Sequence, residues 1–239
     1  MSPFLKSLPL LYNSFARKNH KWQEQIMSDE QIQRRERTIK ILNRMGLPCP
    51  SQGLITQYQP SPELPSPVEI INRCLAVSIC AVKGETGNQA MVEEMVTEFS
   101  ARDYFTEGEQ FFINDPRPLQ SDLIKFSWMY ESVHIFLWVL GYLGRILPPG
   151  RISDVVMEMA MIWKMGRDEM IERARLRPVS DILDAADLYR HLQWAAEDLR
   201  SRGQKNKRII EDVVMVRDYT LYWLMNHPQE PWQPYREKT

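Results

Sequence analysis

The feature that most constrains the fold is a run of apolar and aromatic residues from Leu123 to Leu143. A helix that is apolar on every side belongs either in a protein core or in a lipid bilayer. Lys125, Glu131 and His134 interrupt the run, and the uncharged stretch after His134 is much shorter than the roughly 20 residues that a membrane-spanning helix needs. The run therefore predicts a buried helix at the centre of the protein and no transmembrane segment.

Helix signals recur along the rest of the chain. Apolar residues repeat at spacings of three and four, and only 10 of the 239 residues are Gly, so strand signals are nearly absent. Capping boxes mark helix starts at Ser28 with Gln31, Ser66 with Glu69, and Thr106 with Glu109. Gly84 is expected to end the helix that begins at Ser66. We predict an all-α, single-domain bundle of about eight helices around the central hydrophobic helix.

The helical domain is predicted to span residues 28–228. It contains a linker at residues 47–67 with six prolines, which remove backbone donors and favour extended conformations. Residues 1–27 mix apolar side chains with Lys and Arg, and we interpret them as an amphipathic arm. Residues 229–239 are predicted to form a polar tail that frays.

Charge and cysteine content narrow the classes of partner. Lys and Arg number 30 against 31 Asp and Glu, so the chain lacks the basic field that drives binding to nucleic acid. Its three cysteines form no C-x-x-C pair, which favours a reducing compartment. We expect a cytoplasmic protein with no nucleic-acid partner.

No cofactor is predicted, because the chain carries no complete phosphate-loop, metalloprotease or nucleophile-elbow motif.

Glu131 and His134, inside the central run, are the first candidates for chemistry. Glu131 and His134 are spaced as in half of the motif that holds two metal ions in carboxylate-bridged bundles. The sequence contains no second Glu-x-x-His. The favoured interpretation is a buried polar pair, satisfied by each other and by an arginine from a neighbouring helix.

A second candidate group lies on the helix that begins at Ser180. Asp184, Asp187 and His191 are spaced so that they line one stripe of that helix. The stripe suits either metal ligation or a solvated face with Asp187 paired to Arg190 or His191, and we favour the solvated face. Contact between this group and Glu131 or His134 would favour a metal site.

A methionine-rich helix is predicted after Ser153, with its methionines at positions 157, 159, 161, 165 and 170. Methionine most often fills gaps between helices in a core. It is also common on surfaces that adapt to partners, so a protein-binding groove is the alternative here.

Several motifs resemble a known family. They are the segments Phe126–Glu131, Leu137–Gly141 and Asp181–Tyr189, together with Trp194. These segments resemble the bacterial domain of unknown function family 4272, over residues 30–226. The resemblance implies a bacterial helical protein and no particular activity. It implies that the following residues define the fold or line a site: Trp128, Tyr130, Glu131, Asp184, Asp187, Tyr189 and Trp194.

Three hypotheses for function remain open. The leading one is a non-enzymatic role in binding another protein, with toxin immunity or service to a secretion or stress system as its most concrete form. The second is a hydrolase-like, metal-dependent enzyme that uses Glu131, His134, Asp187 and His191. The third is a structural module that forms homo-oligomers through the arm at residues 1–27.

Overall fold

The computed structural model describes residues 28–50, 62–229 and 231–233, and their regular structure is entirely helical. This confirms the all-α prediction. Residues 1–27, where the amphipathic arm is predicted, lie outside the described residues, as do residues 51–61 of the linker. The helices are α1 (Asp29–Arg44), α2 (Pro67–Thr86), α3 (Gln89–Glu98), α4 (Glu107–Asn114), α5 (Gln120–Ser127), α6 (Tyr130–Val139), α7 (Val155–Arg173), α8 (Val179–Ser201) and α9 (Glu211–Met225), with a 3-10 turn at Arg102–Tyr104.

The capping boxes are formed as predicted. At the start of α1, the Ser28 hydroxyl accepts from the Gln31 N–H, and the Gln31 side chain accepts from the Ser28 N–H. The same reciprocal pair opens α2 at Ser66 and α4 at Thr106. Each box satisfies two backbone donors that the first turn of a helix leaves unpaired.

The central apolar run forms two helices instead of one. Trp128 and Met129 separate α5 from α6. The Met129 N–H donates to the Phe126 carbonyl and the Glu131 N–H donates to the Trp128 carbonyl. These bonds span three residues and form the tighter turn of a 3-10 helix. All ten residues of α6 are buried, which confirms that this part of the run lies in the core.

Helix α2 shares the centre of the fold with α6. It contacts α3, α4, α5, α6 and α7, and every residue from Arg73 to Lys83 is buried. The prediction that Gly84 ends this helix is wrong, because α2 continues to Thr86 and ends before Gly87, whose φ is 61°. Gly84 allows α5 to approach closely, since a Cβ at this position would lie 2.4 Å from the Ser127 backbone nitrogen.

The remaining helices extend the bundle through contacts with α2, α6 and α8. Helix α9 packs against both α6 and α8, and α1 covers α8. Helix α7 contacts α2 and α6 and contains a break at Gly166, whose φ of 63° is not helical. No helix in the described part of the chain has the length and apolar content that crossing a membrane requires.

The chain after α9 returns to the core at Trp232, which is only 4% exposed. Its indole Nε1 donates to a Glu109 carboxylate oxygen at 3.0 Å, and the other oxygen of Glu109 accepts from Arg73 at 2.5 Å. The prediction that the tail frays is therefore wrong at Trp232, because its ring is buried and its N–H finds a buried carboxylate. Residues 234–239 lie outside the described residues.

Candidate functional site

A buried arginine organises the polar centre of the protein. Arg217 of α9 is fully buried, and its Nε donates to Oε2 of Glu131 at 2.8 Å. Its Nη1 donates to the Leu147 carbonyl at 2.6 Å and to the Tyr189 hydroxyl at 2.9 Å. Its Nη2 donates to the Arg151 carbonyl at 3.1 Å. This one guanidinium ties α6, α8 and α9 to the loop between α6 and α7.

Glu131 and His134 bond to different partners and not to each other. The second Glu131 oxygen accepts from the Ser153 N–H at 2.8 Å. His134 Nδ1 lies 2.6 Å from Oε1 of Glu158, and His134 Nε2 accepts from the Leu147 N–H at 3.0 Å. The predicted arginine from a neighbouring helix is Arg217, whereas the predicted direct pairing of Glu131 with His134 is wrong.

The hydrogen bonds determine which tautomer a neutral His134 ring adopts. Because Nε2 accepts a backbone N–H, it carries no proton, and a neutral ring must then carry its proton on Nδ1 and donate it to Glu158. Burial raises the pKa of Glu158, and its hydrogen bond to His134 opposes that rise. Both ring nitrogens are occupied, so His134 has no lone pair to offer a metal ion in this arrangement.

In the second predicted group, α1 covers Asp187, whereas the Asp184 side chain remains 42% exposed. Asp184 accepts from Arg34 at 2.8 Å and from Arg37 at 2.7 Å. Asp187 is fully buried and accepts from the Thr38 hydroxyl at 2.6 Å. The solvated-face interpretation is therefore wrong for Asp187, because α1 packs over this stripe of α8.

His191 is also fully buried on α8. Its Nδ1 lies 2.8 Å from the Asp187 backbone carbonyl, one helical turn earlier, and donates to it. Its Nε2 is buried and has no hydrogen-bond partner among the described residues. The backbone of α8 therefore orients the His191 ring.

The structure divides the predicted polar set into two places. Glu131 and His134 bond to α7, α9 and the α6–α7 loop, whereas Asp184 and Asp187 bond to α1. Tyr189 is the member of the α8 group that reaches Arg217. Within residues 28–50, 62–229 and 231–233, no three His, Cys, Asp or Glu side chains are grouped so that they could hold a metal ion.

The predicted aromatic residues do not line one site. Tyr130 donates to Glu85 at 2.7 Å, and burial raises the pKa of its phenol well above the usual 10.0. Tyr189 belongs to the arginine network, while Trp128 and Trp194 are half-buried elsewhere.

Burial also raises the pKa of the Cys74 thiol to about 12, which confirms that its surroundings do not activate it.

Sequence reasoning missed Arg217 and Glu158, which complete the buried network. Both stand in strongly apolar stretches, Arg217 among the valines and aromatics of α9 and Glu158 among the methionines of α7. A charge at a core-facing position of an apolar helix is the signal that would have found them, because such a charge is buried only when it is paired.

Asp218, beside Arg217, makes the stability depend on pH. Burial raises its pKa from 3.8 to about 6, Arg190 opposes the rise and Glu197 adds to it. The folded protein therefore binds this proton more tightly than the unfolded chain, so its stabilising contribution is complete below pH 3.8 and is lost as the pH rises to about 6. Urea unfolding across this window should show a smaller decline for Asp218→Asn. An identical decline in both proteins would contradict the assignment.

The outer surface of α7 exposes several apolar residues. Val156 is 82% exposed, Trp163 47% and Met157 43%, and Ala160 is exposed between them. We call these four residues the α7 face. On the opposite side of the same helix, Glu158 is 1% exposed and bonds to His134. The first half of α7 thus has its acidic residue inside and apolar residues outside.

Comparison with known proteins gives one result. A family model described as Domain of unknown function (DUF4272) matches residues 34–234. The chain belongs to the DUF4272 family. No curated protein and no solved structure matches it. The match to DUF4272 ends after Trp232, so it includes both the Arg217 network and the tryptophan that returns to the core.

Proposed function

We propose that this DUF4272 protein acts by binding another protein, and that the partner places an apolar helix along the α7 face. The observation that carries the proposal is that α7 exposes apolar residues on the side opposite its buried ones. A helix that is apolar around most of its circumference is normally buried on all sides. Here the side that carries Val156 and Trp163 is exposed.

The spacing of the α7 face suits a helical partner. Val156, Ala160 and Trp163 follow one another at intervals of four and three residues, so they lie on one side of the helix. Residues three and four apart form the ridges along which two helices pack against each other. Ala160 is small enough to let a second helix approach closely, and Met157 is flexible enough to adjust to its side chains.

Charges at the two ends of the α7 face give the partner an orientation. Asp154 is exposed before the first turn, and Lys164 is exposed beyond Trp163. A helix with a basic residue at one end and an acidic residue at the other would complement both. Such rim charges contribute more to orientation and association rate than to affinity.

The test uses a photo-crosslinking amino acid placed at Ala160 and expressed in the native host. We expect one crosslinked partner at Ala160. The control places the same amino acid at Phe111, an apolar residue on α4 that is 77% exposed, and should give no such crosslink. With purified partner, Val156→Asp should raise the Kd at least about tenfold, because it places a charge in an apolar contact. Val156 is exposed, so the fold of the variant is expected to be unchanged, which circular dichroism verifies.

Other outcomes of that experiment would contradict the proposal. Equal crosslinking at Ala160 and Phe111, or none at either position, would mean that the α7 face is not a specific docking surface. Crosslinking to a second copy of the chain would favour the oligomerising module. A purified partner that binds wild type and Val156→Asp equally would place the contact elsewhere.

Toxin immunity, or service to a secretion or stress system, is a more specific form of this proposal. It predicts that the partner is a toxin or a secretion component, and co-expression with a toxin encoded beside this gene tests the immunity form. The hydrolase-like alternative remains a hypothesis with less support. The four residues it uses lie in two separately bonded groups, and His134 has both nitrogens occupied.

A further inference from the structure

A small cleft between α8 and α9 holds oxygen atoms that lack partners. It lies between the C-terminal half of α8 and the first turn of α9, with Met215 at one side. Gln193 Oε1, Glu211 Oε2 and Asp212 Oδ1 are buried and accept no hydrogen bond from any described residue. All three residues line the cleft. Buried acceptors are normally satisfied, so three in one cleft indicate a missing donor.

The orientation of Gln193 is determined by its neighbour. Its side chain is 93% buried, since the residue is 7% exposed, and its Nε2 donates to Glu197 at 3.1 Å. Only the amide nitrogen can donate to a carboxylate, so the oxygen is the atom that remains without a partner. Gln193 therefore provides a neutral, buried acceptor beside the acids of the cleft.

The charge balance of the cleft is negative. Glu197, Glu211 and Asp212 line it together with one cation, Arg200. Arg200 Nη1 lies 3.7 Å from Oε2 of Glu211, which is too long for a hydrogen bond. Burial raises the pKa of Asp212, and the Glu211 carboxylate adds to the rise. A bound cation would relieve this repulsion.

The size of the cleft limits what can fill it. Its volume of about 20 Å³ is enough for one water molecule or one group of similar size. A water molecule has two hydrogens and leaves one of the three acceptors without a donor. A primary ammonium group has three donors and no acceptor. In the part of the chain that the structure describes, no cluster of three or more His, Cys, Asp or Glu side chains could hold a metal ion.

We propose that this cleft binds a primary ammonium group, whose three N–H donors are shared among Gln193 Oε1, Glu211 Oε2 and Asp212 Oδ1. The group belongs to a small amine or to the end of a lysine side chain, because both present the same –NH₃⁺ head. The site shares no residue with the α7 face, so it is independent of the proposed docking there.

The experiment follows the ¹³C-methyl NMR signal of Met215 in the full chain, assigned with Met215→Leu. The protein is titrated with n-butylammonium chloride, with tetramethylammonium chloride and with sodium chloride at equal ionic strength. We expect a saturable shift of the Met215 signal with n-butylammonium alone, while the signal of Met157 on α7 stays unchanged. Tetramethylammonium has the same charge and no N–H donor, so it separates hydrogen bonding from screening.

Variants identify the acceptors. Asp212→Asn and Gln193→Leu should each weaken n-butylammonium binding at least about tenfold. Asp168→Asn, at a side chain that is 99% exposed on α7, should leave it unchanged. The absence of a saturable shift in wild type would mean that the cleft holds only water and would overturn the proposal. An equal shift with sodium or tetramethylammonium would also overturn it.

The affinity of a lysine-containing peptide is then compared with that of free n-butylammonium. This comparison distinguishes the two sources of the ammonium group.

Discussion

Replacing Arg217 with methionine is expected to lower the free energy of unfolding by about 3–5 kcal/mol, the usual cost of removing one member of a buried ion pair. The substitution leaves Glu131, which is 2% exposed, with the Ser153 N–H as its remaining donor. It also removes the donors to the Leu147 and Arg151 carbonyls. Urea unfolding followed by circular dichroism measures the loss.

The matched control is Arg202→Met at the end of α8, where the side chain is 58% exposed. This change should alter stability by less than about 0.5 kcal/mol, because surface ion pairs contribute little. Adding Glu131→Gln to Arg217→Met should recover part of the loss, since the uncompensated charge disappears. If Arg217→Met were as stable as Arg202→Met, the arginine network would not support the fold.

Replacing Trp232 with alanine is expected to cost about 3–5 kcal/mol, the range typical of a buried tryptophan. The ring lies 5.0 Å from that of Tyr219, 5.5 Å from Trp223 and 5.6 Å from Phe136, measured between centroids. The substitution also removes the indole donor to Glu109. The loss should appear as a lower urea midpoint with an unchanged slope.

Two variants separate the contributions to this effect. Trp232→Phe keeps an aromatic ring and removes the N–H, so it should cost about 1.5–3 kcal/mol, the value of a hydrogen bond to a charged group. Trp163→Ala removes a tryptophan that is 47% exposed and contacts Phe99 edge to face, and it should cost about 1 kcal/mol. A loss for Trp232→Ala no larger than that for Trp163→Ala would show that the segment after α9 is not anchored in solution.

The helix starts are the part of the fold that local sequence predicts best. Each capping box joins residues three positions apart, as in Ser28 with Gln31, so its energy depends little on the rest of the chain. Helix ends were harder to predict. Gly84 has the residue type of a helix end, yet it lies within α2 because the backbone of α5 passes against it. Close approach and left-handed backbone both select glycine, and sequence alone does not separate the two reasons.

The candidate polar residues were predicted more completely than their partners. Composition and apolar periodicity singled out Glu131, because a charge in an apolar helix stands out. Its partner Arg217 lies 86 residues away, and the Arg34 that binds Asp184 lies 150 residues away. Pairings at that distance depend on which helices pack together.

The sequence by itself determined an all-α chain, its main helix starts and a buried aromatic helix, because these follow from contacts within one or two helical turns. Only the tertiary structure decided that α1 covers Asp187, that Trp232 enters the core and that the α7 face is left exposed. The reason is that burial is a property of neighbouring elements. The same apolar stripe lies in the core or on the surface according to which helix packs against it.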